Sequence, residues 1–218
     1  MMKTFLLAAA VAVGSTTAAS AITITLDDFN TAASATLATV GSSYTQGPIA
    51  VSPNGANVDR TINFERMANA GATTPSAGAT LDLGGGLLSI DNDANVVSSL
   101  TLTYDVDDLI DAGGVTGFNL LVNNAGTGGD TTVQALLNGT SLGTVNLANG
   151  ASGPVTFSFS QAMAQAMNPD TLEFVFTGSG SFDMLFEGIT ATVPEPGAIG
   201  LLGLGLLGMG AALRRRQA

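Results

Sequence analysis

Between residues 22 and 193 the dominant spacing of apolar side chains is every second position, and that period predicts mainly β-strands. Ile22, Ile24 and Leu26 alternate with Thr23 and Thr25. Leu100, Leu102, Tyr104 and Val106 alternate with Thr101, Thr103 and Asp105. The same rhythm returns at Phe118–Leu120–Val122, Val155–Phe157–Phe159, Leu172–Phe174–Phe176 and Phe182–Met184–Phe186. Each run predicts a strand with one apolar and one polar face. Weaker alternation marks residues 61–65, 79–83 and 87–91, the last two joined by Gly84-Gly85-Gly86. Asn138-Gly139 between residues 133–137 and 142–147 predicts a hairpin closed by a type I′ turn. In the last strand the apolar phase shifts from Phe186 to Ile189, Ala191 and Val193, which predicts a bulge at Gly188. Residues 161–167 predict one helical turn, stopped by Asn168-Pro169. Residues 30–58, rich in Ser, Thr, Ala and Gly, read as loops with at most one strand. About ten short strands separated by turns predict an all-β, antiparallel sandwich over 22–193.

The two ends have a different grammar. Met1-Met2-Lys3, the apolar stretch from Thr4 to Gly14 and the small residues Ala19-Ser20-Ala21 predict a signal peptide over 1–21. Cleavage between Ala21 and Ile22 leaves Ile22 as the mature N-terminus. At the other end, Pro194-Glu195-Pro196 precedes residues 197–213, which carry no charge, and Arg214-Arg215-Arg216 follows at once. As a helix that uncharged stretch is about 25 Å long, just short of a hydrocarbon core of about 30 Å. It is read as a transmembrane helix whose arginines stay in the cytoplasm. The prolines keep the segment before it extended and accessible.

This arrangement over 194–218 resembles the PEP-CTERM sorting signal of proteins exported by Gram-negative cells. The residues that carry the likeness are Val193-Pro194-Glu195-Pro196, the Leu/Gly helix at 201–208 and Arg214–Arg216. The resemblance implies an exosortase as partner, a membrane protease-transferase that recognises Pro194, Glu195 and Pro196. It also implies transient residence in the inner membrane, then delivery to the cell surface or extracellular matrix.

Absent residue types narrow the chemistry. The chain has no Cys and no His, which excludes disulfide scaffolds, zinc fingers, thiol catalysis and Ser-His-Asp triads. Of its basic residues, 22–193 keeps two, Arg60 and Arg66, against 16 of the 17 acids, a net charge of −14. Such a region repels nucleic acid and anionic membrane surfaces and attracts cations. Leu121-Val122-Asn123-Asn124-Ala125-Gly126 matches a strand signature of short-chain dehydrogenases. That family also needs a catalytic Tyr-x-x-x-Lys, and no Lys follows Lys3. The stretch is read as a strand ending in a turn.

Residues 118–193 are similar to the jelly-roll sandwiches of carbohydrate-binding modules and galactose-binding-like domains. The likeness rests on Asn138-Gly139, Leu142-Gly143, the Phe strand, the helical turn, Asn168-Pro169-Asp170-Thr171-Leu172-Glu173-Phe174 and Phe186-Glu187-Gly188-Ile189. It implies a jelly-roll-like sandwich. It also implies a structural calcium ion joining the exit of the first strand to the last strand, with Asp27, Asp28 and Glu187 as ligands. Further acids gather at Asp91 and Asp93, and at Asp105, Asp107, Asp108 and Asp111.

Three functions follow from these readings. The leading one is a surface or matrix protein whose sandwich is non-catalytic and has a structural or adhesive role. The second is a carbohydrate-binding module acting on extracellular polysaccharide. It has few aromatic platforms, since the chain lacks Trp and has only Tyr44 and Tyr104; Tyr104 is in phase with core residues, which leaves Tyr44. The third, a glycoside hydrolase working with two carboxylates, has no pair that stands out.

Overall fold

The structure, a computed structural model, describes residues 21–51, 58–69, 77–106, 115–126, 130–160 and 171–193. These residues form strands and no helix. The first five are β1 (Ile22–Asp27), β2 (Ala33–Leu37), β3 (Ser43–Ala50), β4 (Asp59–Asn69) and β5 (Ala79–Gly84). Then come β6 (Leu87–Asn92), β7 (Val96–Asp105), β8 (Gly117–Ala125) and β9 (Thr131–Leu137). The last four are β10 (Thr140–Leu147), β11 (Ala151–Ser158), β12 (Thr171–Gly178) and β13 (Met184–Val193). The predicted helical turn at 161–167, the signal helix and the C-terminal transmembrane helix lie outside the described residues.

The strands make two antiparallel sheets. One runs β11-β8-β13-β6-β5-β2 with β1 also beside β13; the other runs β10-β9-β12-β7-β4-β3. The last eight strands pair as a long hairpin folded on itself. β6 pairs with β13, β7 with β12, β8 with β11 and β9 with β10. β2–β5 repeat the device on a smaller scale, β2 with β5 and β3 with β4, and add two strands to each sheet.

Alternation builds the core. β7 shows strict in–out burial from Val96 to Tyr104, and β12 does so from Leu172 to Phe176. The inward faces of the two sheets meet in one cluster. Phe176 of one sheet stands 4.9 Å, centroid to centroid, from Phe186 of the other, and Phe157 stands 5.8 Å from Phe174. Such tilted and edge-on pairs suit the aromatic quadrupole.

One turn and one bulge follow the local rules. Asn138 and Gly139 both take positive φ, 47° and 73°, between the paired residues Leu137 and Thr140. That is the type I′ geometry expected of Asn-Gly. In β13 the register shifts between Phe186 and Gly188. Gly188 has φ 156°, and a Cβ there would come within 2.9 Å of the Asp27 carbonyl oxygen. The bulge lets β13 serve two neighbours along one edge. Met184–Phe186 pair with β6, and Ile189–Val193 pair with β1.

One expectation fails. Residues 30–58 were read as loops with at most one strand, yet they hold β2 and β3. β2 reads Ala-Ser-Ala-Thr-Leu, an alternation whose apolar members are mostly Ala. Its inward face is real, with Ala33 and Leu37 buried, but Ala contrasts too weakly with Ser and Thr to mark a period. Both strands end their sheets, where one neighbour suffices.

Candidate functional site

The acids of this region fall into two sets. Asp27 is the interior one, fully buried at the end of β1. Its Oδ2 accepts from Arg60 Nη1 at 2.7 Å and from the Tyr104 hydroxyl at 2.9 Å; its Oδ1 accepts from the Phe29 amide at 2.9 Å. Arg60 is 1% exposed and also donates from Nη2 to the Thr31 carbonyl at 3.0 Å. Three elements thus converge: β1 of one sheet, and β4 and β7 of the other. Burial pushes the Asp27 carboxyl above its ordinary 3.8, while Arg60 and the Phe29 and Tyr104 donors pull against it. Burial, then the Asp27 charge, lifts the Tyr104 hydroxyl well above its usual value of 10.0.

Arg66 is likewise buried, 3% exposed, but meets no carboxylate among the described residues. Nη1 donates to the carbonyls of Leu37, Ala38 and Ala77 at 3.3, 2.5 and 2.6 Å, and Nη2 to Asn69 Oδ1 at 2.8 Å. Both arginines share the phase of Ile62 and Phe64 on β4. That phase was the available signal: period two already puts positions 60, 62, 64 and 66 on one face. The charged identity hid it, because Arg is rarely buried without partners.

The other described acids are the second set, with Asp28, Glu173 and Asp183 half-buried and the rest at the surface. Asp59, Glu65, Asp82, Asp91, Asp93, Asp105, Asp130 and Glu187 are exposed. Since both arginines of 22–193 are internal, the described surface carries acidic side chains and no basic one. The expected repulsion of polyanions is therefore stronger at the surface than the net charge suggests.

The expected calcium ligands do not come together. The backbone part of the expectation is present, since β1 pairs with β13 and Asp27 faces Ile189. The side chains diverge. Asp27 is committed to Arg60. Asp28 accepts from the Asn30 amide and side chain at 3.0 and 2.7 Å. Glu187 is exposed and hydrogen-bonded to Asn123. Among the described residues no three Asp or Glu side chains are grouped so as to hold a metal ion.

Asp183, between β12 and β13, is half-buried in a cleft of about 210 Å³ with Asp91, Asn124 and Met184. Its Oδ1 accepts from the Asn92 amide at 3.1 Å. Burial raises its carboxyl above 3.8, the Asn92 amide opposes this, and Asp91 and Asp93 add to the rise. Asp93 Oδ2 accepts from the Gly78 amide at 2.6 Å. Asp107, Asp108 and Asp111 lie outside the described residues, as do Pro194, Glu195, Pro196 and Arg214–Arg216. Ala21 is exposed, and Ile22 opens β1 directly opposite Val193.

Tyr104 is core, as its phase implied. Tyr44 is not in a loop but in β3, half-buried. It lines a cavity of about 340 Å³ with Ser34, Gln46 and Asp82. Leu121–Ala125 belong to β8, between two antiparallel neighbours, which is not the parallel setting of a dinucleotide fold.

Residues 192–216 match the family model of the PEP-CTERM protein-sorting motif. A comparison with curated proteins found no match. Among solved structures, the enzymatically active domain of tailspike protein 4 of bacteriophage CBA120 aligns with a TM-score of 0.35 and 11% identity. The alignment covers 77% of this chain but 20% of the tailspike chain, so this chain spans a fifth of that length. TmCBM61 in complex with β-1,4-galactotriose aligns with a TM-score of 0.30 and 8% identity, over 70% of this chain and 88% of that one.

Proposed function

We propose that the chain is the precursor of an exported, exosortase-processed protein of the cell surface or extracellular matrix. Its jelly-roll-like sandwich is non-catalytic and has a structural or adhesive role. The observation that carries this reading is the sorting-motif match at 192–216. The precursor has three parts: a signal peptide over 1–21, the sandwich over 22–193 and a sorting tail over 194–218. Exosortase recognises Pro194, Glu195 and Pro196, while the uncharged stretch and Arg214–Arg216 hold the tail in the inner membrane of a Gram-negative cell.

The pairing of Ile22 with Val193 fits this use. The first residue after the signal site and the last before the motif are neighbours on one sheet. Both processing points therefore leave the sandwich from one place, and neither cut removes a strand. The nested pairing of β6–β13 supports the jelly-roll-like description. A surface bare of basic side chains suits a protein that stays clear of anionic lipid headgroups.

Glu195→Ala tests the reading. The substitution leaves the apolar stretch and the arginines intact, so plain membrane anchoring survives it. Recognition fails, and a larger, unprocessed form accumulates in the inner membrane. Normal processing and location of that variant would refute the sorting role. N-terminal sequencing of the exported protein should begin at Ile22, and a start at Met1 contradicts the signal peptide.

A further inference from the structure

Charge is spread unevenly over the sandwich. From residue 112 to residue 169 the chain carries one charged side chain, Asp130. That stretch contains β8, β9, β10 and β11, and none of the four holds an acid or a base. β10 ends one sheet with β9 behind it, and β11 ends the other with β8 behind it. This flank is therefore uncharged two strands deep in both sheets. Its outer face is polar but neutral: Thr132 bonds to Asn146 at 3.0 Å, Gln134 to Ser141 at 3.3 Å and Thr156 to Asn119 at 2.7 Å. β2 and β3, at the other ends of the two sheets, are uncharged as well. Behind them, however, stand exposed Asp82 on β5 and exposed Asp59 and Glu65 on β4.

Among the described residues, β1, β2, β3, β10 and β11 each pair with a single strand. Such an edge offers unpaired N–H and C=O groups to any other strand, and proteins block it with charge, proline or a bulge. β11 carries Pro154, which has no N–H to donate, and β3 carries Pro48 within a break of register between Gln46 and Ile49. β1 breaks register between Thr25 and Asp27, and in β2 Ser34 lies opposite Asp82. β10 breaks between Ser141 and Gly143, but residues 143–147 then pair without interruption and hold neither charge nor proline.

We propose that this edge pairs with β10 of a second copy of the chain, antiparallel about a two-fold axis through Val145. The contact gives the structural role proposed above its partner and rests on that reading. Charge selects the occupant. At −14 over 22–193, two copies repel through every acidic face, and on this flank they meet without bringing carboxylates together. Main-chain hydrogen bonds supply the affinity, as in other cases of strand addition. The axis sets half-buried Val145 opposite itself and exposed Thr144 opposite exposed Asn146 of the second copy. A hydroxyl facing an amide in this way is a favourable cross-strand pair. Because the same patch is used twice, the contact closes as a dimer.

The full chain, purified in detergent micelles, is followed by sedimentation velocity over a range of concentrations. It should pass from monomer to dimer, and added salt should tighten the dimer by screening the residual repulsion. The chain has no Cys, so one introduced thiol reports on one contact. Oxidised Val145→Cys should run as a covalent dimer on a non-reducing denaturing gel. Facing Cα atoms of antiparallel strands stand about 4.5–5.5 Å apart, within reach of a disulfide. Thr36→Cys, exposed on the β2 edge, should stay monomeric. Thr144→Glu brings two carboxylates to the axis and should weaken dimerisation at least about tenfold. Thr144 is exposed, so Thr144→Glu folds and keeps the test alive if Val145→Cys does not. Equal cross-linking of Thr36→Cys and Val145→Cys overturns the choice of flank. A dimer of unchanged strength in Thr144→Glu overturns pairing through β10 and assigns association to another segment. A dimer loosened by salt is held by charge, which overturns the neutral contact. A monomer at every concentration, with no cross-linking of Val145→Cys, removes self-association altogether. The sorting role stands or falls separately on Glu195→Ala.

Discussion

The eight-strand roll β6–β13 and the β1–β5 addition share a core but are held by different chemistry. The roll is aromatic. Phe118, Phe157, Phe159, Phe174, Phe176, Phe182 and Phe186 all belong to it and all are buried. The addition has Phe29 and Phe64, small residues such as Ala33, Ala77 and Ala79, and both buried arginines. Where the roll fills space with rings, the addition ties segments together with guanidinium hydrogen bonds. Arg60 joins β1 and the Thr31 turn to β4, and Arg66 gathers the end of β2 and the segment before β5. Polar ties carry a cost that rings do not. The Nε of each arginine is buried without an acceptor. An apolar core fails gradually as volume is lost, whereas a buried ion fails when one partner leaves.

That contrast gives the largest expected effects. Arg60→Met leaves the Asp27 carboxylate buried without its counter-ion and should cost about 3–5 kcal/mol. Phe186→Ala, which empties one side of the inter-sheet ring pair, should cost a similar 3–5 kcal/mol or so. Denaturant titration measures both, and a second substitution separates them. Adding Asp27→Leu to Arg60→Met replaces an ion pair by apolar volume and should restore most of the loss, as for other buried pairs. No single partner change does this for Phe186→Ala, since the missing volume stays missing. If the Arg60→Met/Asp27→Leu double variant is no more stable than Arg60→Met alone, the ion pair is not what fixes the addition to the roll.

The same contrast explains what the sequence disclosed. The roll was legible almost strand by strand because its alternation sets Phe and Leu against Thr and Ser. The Asn138-Gly139 turn and the Gly188 bulge were legible because each needs a backbone few other residues adopt. In the addition, β2 hid behind Ala, and β3 carries half-exposed Tyr44 and Gln46 where a strand pattern wants large apolar residues. The three acids implied as calcium ligands stay apart for a related reason. The resemblance implied a place for Asp27 beside the last strand, and Asp27 faces Ile189 there, but which way its carboxylate turns depends on Arg60, 33 residues on. The period of β4 contained that answer, and the buried charge disguised it. The cavity at Tyr44 was half legible. Its aromatic was singled out, but the hollow beside it exists only where two edge strands from different sheets flank it.

Tyr104 lies on the seam between the two parts, with β7 in the roll and its hydroxyl on Asp27 of the addition. Tyr104→Phe keeps the ring and its edge-on contact with Phe174 at 6.5 Å, and deletes one charge-assisted bond. The expected loss is about 1.5–3 kcal/mol, below that of either larger substitution. A loss near zero would mean that Arg60 and the Phe29 amide alone satisfy Asp27, and the seam would then be held from the addition's side only.

The smallest effect tests the roll's own polar defect. Asp183 sits where the β12–β13 turn meets the end of β6, with its carboxyl held above 3.8 by burial and by Asp91 and Asp93. A carboxyl raised in the fold binds its proton more tightly there than in the unfolded chain. Its contribution to stability is therefore complete below 3.8 and is lost as pH rises through the folded value. At neutral pH the ionised group works against the fold. Asp183→Asn keeps an oxygen for the Asn92 amide and removes the charge, so it should stabilise the protein at pH 7. The gain should be about 1 kcal/mol or less, because solvent screens this half-exposed group. Below 3.8 the native carboxyl is protonated and the two proteins should melt together. Melting temperatures of both proteins, followed from acid to neutral pH, should diverge upward in pH with the variant above. A gap constant at every pH would assign the effect to the Asn92 hydrogen bond instead of to charge. A variant less stable at pH 7 would mean that the ionised carboxylate is favourable there, and that the roll, like the addition, relies on a buried charge.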